Sequence, residues 1–243
     1  MSAPLEIHMF PCLWDNYGFL VHNPETQETA CIDTPEVDKI VLALEEKGWS
    51  LTHIWNTHHH PDHAGGNLEL KEIYGAKIAG ARKDADRIPG IDIRLVEGDI
   101  FDFGGHKVQV FETDGHTIGH IIYYIPSAKA AFVGDTIFAL GCGRLFEGTA
   151  EQMFDSMRKI EALPDDTALY CAHEYTLSNG KFALSIDDNN QALKDYMSDA
   201  QDKRDKNIPT VPTSVAAEKL ANPFLRAKTP KELGTIRKAK DNF

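Results

Sequence analysis

The stretch Thr57-His58-His59-His60-Pro61-Asp62-His63, followed by Ala64-Gly65-Gly66, constrains this chain more than any other. Three imidazoles and a carboxylate stand in the pattern H-x-H-x-D-H, a density of metal-ligating side chains that an apolar core has no use for. A purification tag is homopolymeric and terminal, and this run is neither. The apolar run 51–55 predicts a strand, so His58 and His60 leave its end two residues apart and on one side, while His59 points the other way. Pro61 stops the extended run, and Asp62 and His63 turn with the chain toward a helical pattern over 67–74. One short loop thereby aims two imidazoles at one point and an Asp–His pair at another. Neutral imidazole and carboxylate suit zinc, iron or manganese, and the lack of sulfur ligands in the run argues against a closed structural zinc site.

The strand pattern supplies partners for that loop. Residues 5–10, 17–21 and 29–32 read as a β-meander, with Asp33 directly after its third strand. A helical face at Val37, Ile40, Val41 and Leu44 ends at Gly48. Further strands are predicted at 76–79, 94–96 and 107–112, a hairpin at 121–125 and 129–133, a helix over 150–163 and a last strand at 168–171. Three of these runs lead into a candidate ligand: His116 after Asp114-Gly115, Asp135 after Gly134, and His173 after Ala172. Strand ends on one sheet edge converge, which is where open sheets place their sites. The candidate ligands are therefore His58, His60, Asp62, His63, His116, Asp135 and His173, enough for two metals with Asp135 bridging them. Taken singly, Asp135 could cap a turn and His173 could be a lone buried imidazole, but four strand ends agree. His120 opens the next strand as a neighbour of the site or a core histidine; His8, His22, His53, His59 and His106 receive no role.

From about Thr176 the strand-like runs vanish, and 187–206 reads as a charged helix with apolar Ala192, Leu193, Tyr196 and Ala200. Two domains are expected, 1–175 with strand groups and interspersed helices, and 176–243, small and helical. No run of 18 or more apolar residues is present, so no membrane span is expected, and the first residues lack the basic and apolar regions of a signal peptide. A cytoplasmic protein with reduced structural cysteines is expected, since Cys12, Cys31, Cys142 and Cys171 lie far apart. The net charge of −12 makes nucleic-acid binding improbable. That charge is uneven: residues 221–243 carry six basic and two acidic side chains, leaving −16 on the rest. A basic end on an acidic protein needs a reason.

His58-x-His60-x-Asp62-His63 with His116, Asp135 and His173 in that order resembles the metallo-β-lactamase superfamily. The resemblance implies an α+β fold, an αββα sandwich with a binuclear site at one edge, and Asp33 matches that superfamily's early strand-end Asp. Within it, four local matches make the chain similar to the hydroxyacylglutathione hydrolase (glyoxalase II) family: Thr57 to Gly66, Gly134-Asp135-Thr136-Ile137-Phe138, Gly141-Cys142-Gly143-Arg144 and His173-Glu174-Tyr175-Thr176. The helical part, with Asn222-Pro223-Phe224-Leu225-Arg226, is similar too. The family implies one metal on His58, His60 and His116, another on Asp62, His63 and His173, and Asp135 between them, with zinc first and iron or manganese as alternatives. It implies hydrolysis of S-D-lactoylglutathione to D-lactate and glutathione, in methylglyoxal detoxification; a monomer is expected. Arg144 and Phe146 stand where the family often has Lys and Tyr; Arg keeps the charge and Phe146 loses a hydroxyl.

The residues allow that chemistry. Asp62 or Asp135 can orient an attacking water, and a thiolate of pKa about 8.5 departs without the strong proton donor that an amine needs. Glutathione carries two carboxylates, for which Arg144, Arg226 and Lys228, with the Tyr175 hydroxyl, are the expected donors. Arg237, Lys238 and Lys240 are read instead as a solvated helix-terminal run. The alternative on the same fold is a glutathione persulfide dioxygenase with a single iron, whose relatives tend to lack the helical domain.

Overall fold

The computed structural model describes residues 3–243, and the chain divides into two compact units: Met1–Glu112 with Gly119–Phe132, and Thr113–Ile118 with Val133–Phe243. In the first unit, β1 (Glu6–Cys12), β2 (Asn16–His22) and β3 (Thr29–Ile32) form the antiparallel meander that the alternating apolar runs predict. Helix α1 (Val37–Lys47) then carries the chain across, and β4 (His53–Trp55) pairs parallel with β3. After α2 (Pro61–Ala64) and α3 (Asn67–Tyr74), β5 (Lys77–Ala81) and β6 (Ile93–Leu95) add in parallel, giving a six-stranded sheet ordered β1-β2-β3-β4-β5-β6.

Two faces of that sheet are covered for identifiable reasons. The apolar stripe of α1 buries Ile40, Ala43 and Leu44 in a cluster with Leu20, Cys31, Ile54 and Ile78. Gly48, at φ 69°, ends α1 in the left-handed conformation that only glycine takes without strain, and its amide returns to the carbonyls of Glu45 and Leu44. The other face meets a second layer containing β7 (Ile100–Phe103), β8 (His106–Glu112), β9 (Ile121–Ile125) and β10 (Ala130–Gly134). There Trp55 of β4 lies edge-on to Phe101 and Phe103 at 5.2 and 5.0 Å and tilts against Tyr123 at 5.5 Å. Phe19 of β2 meets Phe132 of β10 at 5.8 Å. Aromatic pairs at these spacings add to the burial itself, so sheet packs on sheet through rings. The expected hairpin forms, with Ala130 opposite Ile125 and Phe132 opposite Tyr123.

The second unit opens with a two-residue pair of strands, β11 (Ile137–Phe138) and β12 (Gly141–Cys142). It continues through α4 (Ala150–Glu161), β13 (Ala168–Cys171), α5 (Thr176–Ile186), α6 (Gln191–Asp205), β14 (Thr213–Ser214), α7 (Val215–Ala221), α8 (Pro223–Arg226) and α9 (Pro230–Asp241). Within this unit β13 pairs antiparallel with β14, Ala168 opposite Ser214. Thr149 and Gln152 close a reciprocal capping box at the start of α4. The charged helix expected over 187–206 forms as α6, and a further helix, α5, precedes it. Asn190 accepts the Leu193 amide and starts α6 there, and the residues before it form α5, which buries Asn179, Phe182 and Ala183. Leu140, Ala183, Leu193 and Ala221 make one apolar cluster within this unit. Among the described residues no helix is long and apolar enough to cross a membrane.

Candidate metal centre

Pro61 occupies the first position of α2, where its missing amide proton costs nothing and its fixed φ suits a helix, so the chain leaves the extended run and turns at once. Asp62 and His63 fall in that turn. Asp33, directly after β3, has a left-handed backbone at φ 58°. Its carboxylate accepts both the Thr57 amide and the Thr57 hydroxyl at 2.7 Å and lies 2.8 Å from His63 Nδ1. A carboxylate on Nδ1 keeps the proton there and leaves the Nε2 lone pair for a ligand. His63 Nε2 is 3.5 Å from Asp62 Oδ2, and His58 Nε2 is 3.0 Å from His60 Nδ1. His59 turns the other way, as alternation predicts, with Nδ1 3.0 Å from the buried Asp84 carboxylate that Arg87 also holds. His120 is buried with its ring stacked on His58 at 4.8 Å, beside the candidate ligands.

His116, Asp135 and His173 assemble in the same manner. The Arg144 carbonyl lies 2.8 Å from His116 Nδ1, which again sends Nε2 toward the site, 3.4 Å from Asp135 Oδ2. His173 Nε2 is 3.4 Å from the other oxygen, Asp135 Oδ1. One carboxylate thus faces an imidazole with each oxygen, the arrangement a bridging ligand adopts. Gly143 makes room for it: a Cβ there would stand 2.1 Å from the Asp135 carbonyl oxygen and 2.9 Å from His116 Nδ1. The candidate donors are His58, His60, Asp62 and His63 in the first unit and His116, Asp135 and His173 in the second. Such nitrogen and oxygen donors without sulfur fit a binuclear divalent metal site.

His116 and Asp135 also line a cavity of about 700 Å³, within the range that small-molecule sites occupy. Arg144, Tyr175, Arg237 and Lys240 share its wall. Arg237 is only 4% exposed; its Nη1 donates to the Cys142 carbonyl at 2.8 Å, and its Nη2 is 2.9 Å from Asp241. Burial, followed by the neighbouring Arg237 charge, holds the Lys240 ammonium below the ordinary lysine range. Burial pushes the Cys142 thiol up to about 11. The Tyr175 ring lies parallel to His173 at 4.8 Å, and Phe146 stands edge-on to His116 at 5.2 Å.

The expected substrate donors divide. Arg144 and Tyr175 line the cavity; Arg226 and Lys228 do not. The single turn of α8 sends Phe224 and Leu225 into the core, so Arg226 faces Asp187 and holds that carboxyl below its ordinary range. Lys228 is exposed ahead of α9, its amide bonded to Glu232 at 2.7 Å. Arg237 and Lys240, set aside as solvated, are corrected: Arg237 is buried, Lys240 is half-buried, and both line the cavity. A signal for them was present: they follow the buried Leu233 at i+4 and i+7, on its face of the helix, and the exposed Lys238 lies off it.

Residues 32–173 match the model of the metallo-β-lactamase superfamily, and residues 174–243 match that of the hydroxyacylglutathione hydrolase C-terminus. A hydroxyacylglutathione hydrolase of Maricaulis maris is 54% identical over 94% of this chain and 89% of its own. The chain belongs to the hydroxyacylglutathione hydrolase family of the metallo-β-lactamase superfamily. A second member, from Hyphomonas neptunium, is 49% identical over the full length of both chains. Among solved structures, ETHE1 from Myxococcus xanthus superposes with a TM-score of 0.74 at 26% identity, over 96% of this chain and 90% of that one. The fold is the metallo-β-lactamase fold of the α+β class with a C-terminal helical part.

Proposed function

We propose that this chain is a hydroxyacylglutathione hydrolase that cleaves the thioester of S-(2-hydroxyacyl)glutathiones, chiefly S-D-lactoylglutathione, to D-lactate and glutathione. The observation that carries the reading is the cavity that joins His116 and Asp135 to Arg144, Arg237 and Lys240 in a chain whose full length follows hydrolases of that name. His58, His60 and His116 would hold one divalent ion and Asp62, His63 and His173 the other, with Asp135 shared. When bound, such a pair acidifies water and polarises a carbonyl. We assign zinc to both positions, and the oligomeric state to a monomer working in the cytoplasm in methylglyoxal detoxification.

The side chains divide the remaining work. Asp62 or Asp135 accepts a hydrogen bond from the attacking water and aims its lone pair at the thioester carbon. The water gives one proton to that carboxylate as the C–O bond forms, the C–S bond breaks, and the sulfur leaves as a thiolate of pKa about 8.5, needing no general acid. That proton and the one on the product acid pass to solvent. Arg144, Arg237 and Lys240 meet the two glutathione carboxylates, Asp241 meets its ammonium, and the Tyr175 hydroxyl donates beside them. Arg226 and Lys228 take no part in this reading.

The test is turnover of S-D-lactoylglutathione by purified protein, with metal content measured on the same sample. Hydrolysis abolished by chelation, with two zinc ions per chain, is the expected result. One iron per chain, with oxygen uptake on glutathione persulfide and no thioester hydrolysis, would replace this reading by the dioxygenase.

A further inference from the structure

The turn between β11 and β12 has its backbone held almost entirely by buried side chains of the helices. Asn222 Nδ2 donates to the Phe138 carbonyl at 3.2 Å and to the Gly141 carbonyl at 2.9 Å. Asn179 Nδ2 donates to the Ala139 carbonyl at 3.0 Å. The Leu140 amide donates to Glu218 Oε2 at 2.9 Å, and the Cys142 carbonyl accepts from Arg237. Leu140 sits at φ 60°, a left-handed conformation unfavourable for leucine, so the surroundings must impose it. Glu218 and Asn222 are wholly buried and bonded to each other at 2.9 Å. The second Glu218 oxygen accepts the Thr213 hydroxyl at 2.6 Å, which in turn accepts from Tyr196 at 2.8 Å. Burial raises the Glu218 carboxyl while the Thr213, Leu140 and Asn222 donors pull it back. A buried carboxylate kept with all its donors in place specifies one arrangement of the groups around it.

We propose that Glu218 and Asn222 are positioning residues for substrate, holding the Phe138–Cys142 turn in the one conformation in which the Cys142 carbonyl seats Arg237 in the cavity wall. This gives the Asn222-Pro223-Phe224 motif a second job. Asn222 Oδ1 caps α8 by accepting the Phe224 amide at 2.9 Å, while its amide nitrogen clamps the turn. The inference rests on reading the cavity as the glutathione site.

Two variants separate the jobs. Asn222→Ser keeps a capping oxygen for α8 but loses the amide donors. Glu218→Gln keeps the shape and replaces one acceptor by a donor that faces other donors. In each, KM for S-D-lactoylglutathione should rise about tenfold with kcat within about twofold, because no candidate metal ligand is touched. Hydrogen exchange at the Leu140 amide, slow in the wild type, should accelerate by at least about tenfold. A KM that stays put while exchange accelerates overturns the positioning role, and so does exchange that is unchanged in the variants or already fast in the wild type. Exchange needs no substrate: an inactive wild type with a protected Leu140 faults the substrate reading, and an unprotected Leu140 faults the clamp.

Discussion

Arg237 and Arg226 are both arginines near the end of the chain, and their surroundings assign them different work. Arg237→Ala removes a guanidinium that lines the cavity and bonds the Cys142 carbonyl, so KM should rise by about one to two orders of magnitude, the loss expected for a buried charge-assisted contact. Arg226→Ala breaks a half-exposed pair with Asp187 and should leave KM within about twofold. Steady-state kinetics on the two proteins decide the matter, and equal effects would undo the placement of substrate. Lys240 adds a pH signature. Its ammonium is held below the ordinary lysine value, so it loses its charge earlier as pH rises, and a substrate carboxylate loses its partner with it. KM should therefore climb on the alkaline side, and Lys240→Arg, which keeps its charge, should flatten that limb. The candidate ligands stood out in the sequence because a strand-end alternation leaves imidazoles few other uses. Arg237 and Lys240 were not, because charges near a helix end read as solvated until a neighbouring stripe of burial is noticed.

At the scale of elements, legibility followed length. Strands of five to seven residues such as β1, β2, β8, β9 and β10 carry enough alternation or unbroken apolar character to be read. Two-residue strands such as β11, β12 and β14 have no period at all; β14 pairs with the distant β13, and the local β11–β12 turn is held by side chains distant in sequence. Gly143, the residue after the β11–β12 pair, nevertheless packs against the candidate ligands Asp135 and His116. Gly143→Ala would place a methyl group within 2.1 Å of the Asp135 carbonyl oxygen. Backbone and ligands must then separate, and a displacement near 1 Å costs about a hundredfold in rate. Gly48→Ala, with open space around its Cβ, should cost only the left-handed strain, about 1–2 kcal/mol of stability, and no activity. Comparable losses of activity in both would show that spacing at Gly143 is irrelevant.

Across the whole molecule, the loops that carry the candidate ligands come from widely separated stretches of sequence, so ions bound to them would tie those stretches together. Removing metal with a chelator should lower the melting temperature by about 5–10 °C, the size expected when ligand present at about a hundred times its Kd is lost, and adding zinc back should restore it. An unchanged melting curve would mean that the ligands are held in place without ions. All four cysteines are buried, and burial pushes Cys142 up to about 11 and Cys12 and Cys171 up to about 12. At neutral pH the thiolate fraction of Cys142 is then on the order of one in ten thousand. A catalyst that frees a sulfhydryl beside such a residue is protected from its own product's oxidised form, since sulfur exchange needs the anion. Prolonged exposure to glutathione disulfide should leave both its mass and its turnover unaltered.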